Sequence, residues 1–207
     1  MDVSRPYSAV APTIEGDVLV VLAGTTHPLT GRQVARLARR GSVAGVAKAL
    51  DRLGRQGLVT RLEAPPASLY TLNRQHVAAP VAEALAGLRS EFLSRLRDAF
   101  STWEIQPVHA SLFGSAARGD GAPDSDVDIF VVRPTAVDGE DATWSEQLTG
   151  ISDVVFASTG NRAGIIDFAE QDIGQMLDEN PPVLAELRRD AIDLAGMPLR
   201  ELLERAR

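Results

Sequence analysis

The sequence predicts two domains of different class: a mainly α domain over residues 1–76 and a mixed-sheet α/β domain over residues 105–207, joined by a connecting helix at 77–104. Three observations carry this. Residues 1–76 hold ten Arg or Lys against five Asp or Glu, net +5, while residues 77–207 hold eleven against twenty-three, net −12. Such a reversal of sign points to two parts with different partners. Helical periodicity fills the first part up to Gly57 and gives way there to two short β-like runs. From Val108 onward, short apolar strands alternate with helical segments, the pattern of an α/β layer structure.

Composition bounds the reading further. Hydrophobic residues make up 44% of the chain, ordinary for a folded protein. Cysteine is absent, which excludes disulfides, thiolate metal sites and cysteine nucleophiles. Met1–Ala11 is interrupted by Pro6 and mixes charged with apolar residues, unlike a signal peptide. The longest apolar runs, such as Val18–Ala23, are too short to span a bilayer. The expectation is a soluble, cytoplasmic protein with no membrane partner.

In the first part, Asp17–Ala23 fits helix or strand by pattern alone and counts as the first of three helices by context. Thr30 is a plausible N-cap, and Val34, Leu37 and Ala38 recur at helical spacing through Arg40. Gly41 ends that helix and Ser42 caps the next. In Val43–Gln56, the residues Val46, Ala49, Leu50 and Leu53 share one face, and Gly57 suits the position after the helix end. The runs Leu58–Leu62 and Leu69–Leu72 follow as a two-stranded ribbon.

Three helices and a ribbon are the parts of a winged helix-turn-helix. Thr30–Asn73 resembles bacterial regulators of that class, above all in Ala49-Leu50-Asp51-Arg52-Leu53, Gly57-Leu58-Val59 and Leu69-Tyr70-Thr71-Leu72-Asn73. In such domains the second helix of the pair enters the major groove. The resemblance implies DNA as partner, contacted by Arg39, Arg40, Ser42, Lys48, Arg52, Arg55 and Arg61, with Arg32 and Arg36 as further phosphate contacts. A dimerisation module is the alternative.

Pro80 opens a long helical pattern with Leu85, Leu88, Phe92, Leu96 and Phe100 at spacings of three and four, also a candidate homodimer seam. Val108–Phe113 alternates as a strand, Ala116–Asp124 is a turn, and Asp126–Val132 is a β-branched strand. Arg133–Asp141 is a loop and Ala142–Ser158 a helix. Ala163–Phe168 is a third strand, Glu170–Leu177 and Pro181–Arg189 are helices, Ala191–Ala195 is an edge strand, and Pro198–Arg207 is a terminal helix. The three histidines have no metal-ligand spacing, and Trp103 and Trp144 read as packing residues.

The chemistry lies in the run from Gly114-Ser115 to Asp126-Val127-Asp128. Asp126 and Asp128 stand two apart on a strand, so their carboxylates project from one face. Hard oxygen ligands so placed suit Mg²⁺, which takes one or two carboxylates and keeps substrate phosphates as further ligands. Gly114 lets backbone approach a phosphate closely, and Ser115 offers a hydroxyl and an N–H to it at a helix start. Gly-Ser followed after about ten residues by Asp-hydrophobic-Asp resembles the signature of the DNA polymerase β nucleotidyltransferase superfamily, especially its minimal bacterial and archaeal members; Val108–Phe168 carries the resemblance.

That resemblance implies an enzyme using two Mg²⁺ ions and an NTP, with ATP favoured. It would move a nucleoside monophosphate to a hydroxyl on a protein, an RNA or a small molecule, as in some toxin–antitoxin pairs. Asp126 and Asp128 would be catalytic and metal-binding, and Gly114, Ser115 and Arg118 would bind the nucleotide. Catalytic members add a third carboxylate from a later strand; Asp167 is the candidate, with Glu170 or no residue as alternatives. The competing class is a transcriptional regulator that binds nucleotide as an effector without turnover.

Overall fold

A computed structural model describes residues 1–38 and 41–206. Contacts divide it into two compact units, Pro6–Arg89 and Ser90–Arg207 together with Met1–Arg5. Among the described residues, no helix is long and apolar enough to cross a membrane.

The first unit contains α1 (Ile14–Ala23), β1 (Leu29–Thr30), α2 (Gly31–Ala38), α3 (Val43–Arg55), β2 (Val59–Ala64) and β3 (Ala67–Leu72). The ambiguous run Asp17–Ala23 is helical because Thr13 caps it, its side chain accepting from Gly16 N–H. Thr30 caps α2 reciprocally: its Oγ1 accepts from Gln33 N–H while Gln33 Oε1 accepts from Thr30 N–H. Ser42 caps α3 through Gly45 N–H. The strands pair antiparallel in the order β1-β3-β2, so the ribbon carries a third, two-residue strand. Val18, Leu22, Val34, Val46, Leu50 and Leu53 form the core, each burial contributing about 1.5–3 kcal/mol.

Helix α4 (Ala79–Ser101), where a connecting helix was expected at 77–104, contributes residues to both units, which divide at 89/90. Ala79 and Ala82 belong to the first core; Phe92, Leu96 and Phe100 belong to the second.

The second unit is a four-stranded mixed sheet with helices on both faces. In chain order after α4 come β4 (His109–Leu112), α5 (Gly114–Arg118), β5 (Val127–Arg133), α6 (Ala142–Thr159), β6 (Ala163–Ala169), α7 (Ile173–Glu179), α8 (Pro182–Asp190), β7 (Ile192–Gly196) and α9 (Leu199–Arg205). The strand order is β6-β5-β4-β7; β5 runs parallel to β6 and antiparallel to β4. Alternation along β5 sorts its side chains between two layers. Val127, Ile129 and Val131 pack with Phe92, Leu96, Phe100, Trp144, Ile151 and Val155 from α4 and α6. Phe130 and Val132 pack on the other face with Ile173, Leu184, Leu187 and Leu199 from α7, α8 and α9. Asp128 shares the parity of Phe130, so it emerges on the α8 face. Val3 is buried in the α4/α6 layer, which is why the first five residues belong to this unit.

Candidate active site

The two motif carboxylates come together where β4 ends and β5 begins. Phe113 N–H donates to Asp128 O at 3.0 Å, which ties the end of β4 to β5. The chain then turns through Gly114 at φ +66° into α5. A Cβ on Gly114 would stand 2.4 Å from Asp128 Oδ2, so no other residue fits both the left-handed backbone and the space. On the other side, Gly164 of β6 pairs in register with Asp128, and a Cβ there would stand 3.0 Å from Oδ1. The Asp128 carboxylate is therefore wedged between two glycine backbones.

Neither Asp126 nor Asp128 makes a side-chain hydrogen bond or ion pair among the described residues. Burial, then the neighbouring Asp126 and then Glu186 push the Asp128 carboxyl above its usual range, with Arg118 opposing. A group whose native pKa is raised binds protons more readily folded than unfolded, so its ionisation costs stability as pH rises above the unfolded value. Asp128→Asn is accordingly expected to raise the melting temperature at neutral pH, by about 2–4 °C for each kcal/mol gained, and to lose that advantage at acid pH. Thermal denaturation at two pH values checks this.

Ser115 lies in the first turn of α5, a helix of five residues with little accumulated dipole. The turn before Asp126 is held by Ser125, whose Oγ accepts from Ala122 N–H at 2.9 Å. Asn161 Nδ2 donates to Ser125 O at 2.7 Å and to Met1 O at 3.0 Å. Arg118, a candidate phosphate contact, reaches α8: Nη1 donates to Asp190 Oδ2 at 3.0 Å, and Nε lies 3.1 Å from Asp120 Oδ2. Asp190 also accepts from Arg189 at 2.8 Å, and these two guanidiniums hold its carboxyl below the usual range.

Asp167 is not brought to the site, and this corrects the sequence expectation. It pairs in register with Val131, three positions along from the Asp128–Gly164 pair, and shares the parity of Ile165, which packs in the α4/α6 layer. Its carboxylate thus leaves the opposite face of the sheet, where Oδ2 meets Arg133 Nη1 at 2.6 Å. Glu170 follows the end of β6 and lies beside Thr135, so it does not substitute. Asp167→Asn should leave nucleotide binding unchanged. It should cost about 1–3 kcal/mol of stability, because Arg133, 18% exposed, loses its ion partner; calorimetry and a denaturant titration read the two effects separately.

Among the described residues, no group of three acids or histidines stands close enough to hold a metal ion. Two unpartnered carboxylates fit one Mg²⁺ that retains substrate phosphates as ligands. They do not fit the expected pair of ions, because the third carboxylate is missing from β6: its positions on the site face are Gly164, Ile166 and Phe168.

Of the expected DNA contacts, Arg39 and Arg40 lie outside the described residues. Ser42 spends its hydroxyl as the α3 cap. Arg52 pairs with Glu15, Arg55 with Asp51 and Arg61 with Glu63, while Lys48 has no ion pair among the described residues. Sequence reasoning passed over Gly164, Glu186 and Asp190. A glycine inside a strand signals close approach of another group, so Gly164 carried a readable sign; nothing in the sequence marked the other two.

Compared with known families, residues 90–194 match the model described as "Nucleotidyltransferase domain", just over half of the chain. No curated protein matches the chain.

Proposed function

We propose, because the chain belongs to the nucleotidyltransferase domain family, that its second unit transfers a nucleoside monophosphate from an NTP, ATP in the first instance, to a hydroxyl on a protein, RNA or small molecule. The mixed α/β sheet with helices on both faces fits such a domain. The observation that carries the reading is the pair Asp126 and Asp128: two carboxylates two positions apart, without hydrogen-bond or ion-pair partners among the described residues, one of them disfavoured as an anion by its surroundings. Asp126 and Asp128 would hold a cation there, whose charge would relieve that repulsion. Mg²⁺ bound there would neutralise the charge of the phosphates in an in-line displacement. Gly114 clears room for phosphate oxygens, and Ser115 offers its N–H and hydroxyl to them. Incubating the protein with α-labelled ATP, Mg²⁺ and a cell extract tests the reading: label joins an acceptor and pyrophosphate is released.

One observation favours a second reading, binding of nucleotide as an effector without turnover. The site face of β6 carries glycine and two apolar residues, where a catalytic member would need an acid. Nucleotide bound in a Mg²⁺-dependent way, with no label transferred to any acceptor, is the outcome of this reading. In either case, we propose that the first unit is a winged helix that binds DNA through its basic α2–α3 surface, that the chain forms a homodimer, and that it works in a toxin–antitoxin setting.

A further inference from the structure

The geometry points to Glu186, on α8, as the carboxylate that takes the proton from the acceptor hydroxyl during transfer. The inference rests on the transfer reading above and names the residue which that reading lacks. Attack by a hydroxyl on the α-phosphorus requires a base within hydrogen-bond reach of its proton. Strand β6 supplies none, since Asp167 leaves the opposite face and is engaged by Arg133.

Helix α8 covers the face from which Asp128 emerges. Leu184 and Leu187 anchor it in the layer under Phe130 and Val132, and it packs against α5, the element that opens with Gly114. Arg118 of α5 reaches across to α8, placing Nη1 3.0 Å from Asp190 Oδ2 and 3.9 Å from Glu186 Oε2. Glu186 therefore lies on the side of α8 turned towards α5. Arg118 is committed more closely to Asp190, and the Glu186 carboxylate accepts no hydrogen bond among the described residues. Its side chain is 45% exposed, so an incoming hydroxyl can reach it.

In the step, the acceptor oxygen forms a bond to the α-phosphorus. The bond from that phosphorus to the oxygen bridging to the β-phosphorus breaks, and its electron pair leaves with pyrophosphate. The hydroxyl proton passes to Glu186 and from there to solvent.

The test compares full-length wild type, Glu186→Gln, Glu186→Asp and the double variant Asp126→Ala/Asp128→Ala. ATP binding with Mg²⁺ is followed by calorimetry, and transfer by α-labelled ATP in a cell extract. Glu186→Gln should bind within about threefold of wild type and lose transfer by roughly 10²–10⁴-fold, with Glu186→Asp recovering part. Because Asp190 and Asp120 still hold Arg118, its melting temperature should match wild type. Transfer at the wild-type rate in Glu186→Gln overturns the assignment alone, as does loss of binding parallel to loss of transfer. Wild type that binds nucleotide but transfers nothing overturns it in favour of the effector reading. Wild type that binds no nucleotide removes the transfer reading itself, and the assignment with it.

Discussion

Replacing Asp126 and Asp128 together by alanine is expected to weaken Mg²⁺-dependent nucleotide binding by more than about 100-fold, since even outer partners of a metal site contribute about 10–100-fold. The fold should survive. Neither carboxylate is hydrogen-bonded or ion-paired among the described residues, so no partner is orphaned, while Val127 and Ile129 keep β5 anchored in the α4/α6 layer. Removing two like charges from one edge, one of them destabilised by burial, should raise stability if it changes it. Calorimetric titration of both proteins with ATP and Mg²⁺ decides the matter: equal affinities would mean that the pair does not hold the cation.

The whole protein is expected to bind duplex DNA with an affinity that falls steeply with salt, because each neutralised phosphate releases counterions. Eight Arg or Lys lie between residues 31 and 62, against one acid, Asp51. The structure ranks them. Arg52, Arg55 and Arg61 are paired with acids, so a phosphate has to displace a carboxylate to use them. Arg32, Arg36 and Lys48 have no ion pair among the described residues. These three alone would lower affinity roughly 40-fold between about 50 and 200 mM salt, taking about 0.9 per phosphate in the logarithmic slope. Changing all three to alanine should flatten the slope by about 3, evenly across DNA sequences. The apolar start of α3, with Val43 59% exposed, offers little to read base edges, so weak sequence preference is expected. A protein that shifts no DNA at low salt returns the first unit to the dimerisation reading.

Local chemistry made much of the fold legible. Ser42 and the Val46–Leu53 stripe announced α3, and alternation announced β5, because capping and periodicity are properties of neighbouring residues. Leu29–Thr30 was not legible as a strand: two residues show no alternation, and only pairing with Leu69 and Tyr70 makes them one. The motif of Gly114, Ser115, Asp126 and Asp128 was legible as a unit because its parts are close in sequence. The third carboxylate was not. Ile165, Ile166 and Phe168 cover both faces of β6, so alternation could not say which way Asp167 pointed. Register settles it, and a strand's register depends on its partner; the Asp128–Gly164 pairing puts glycine where an acid was sought. Glu186 and Asp190 reach Arg118 through the packing of α8 on α5, a contact between segments about seventy residues apart that no local pattern encodes.

The most direct measurement is an equilibrium titration of the full chain with ATP, once with Mg²⁺ and once with a chelator in its place. The account predicts saturable binding of one nucleotide per chain with Mg²⁺, and its loss without, because the unpartnered Asp126 and Asp128 repel a bare triphosphate. No binding with Mg²⁺, or binding of equal strength in the chelator, would contradict it.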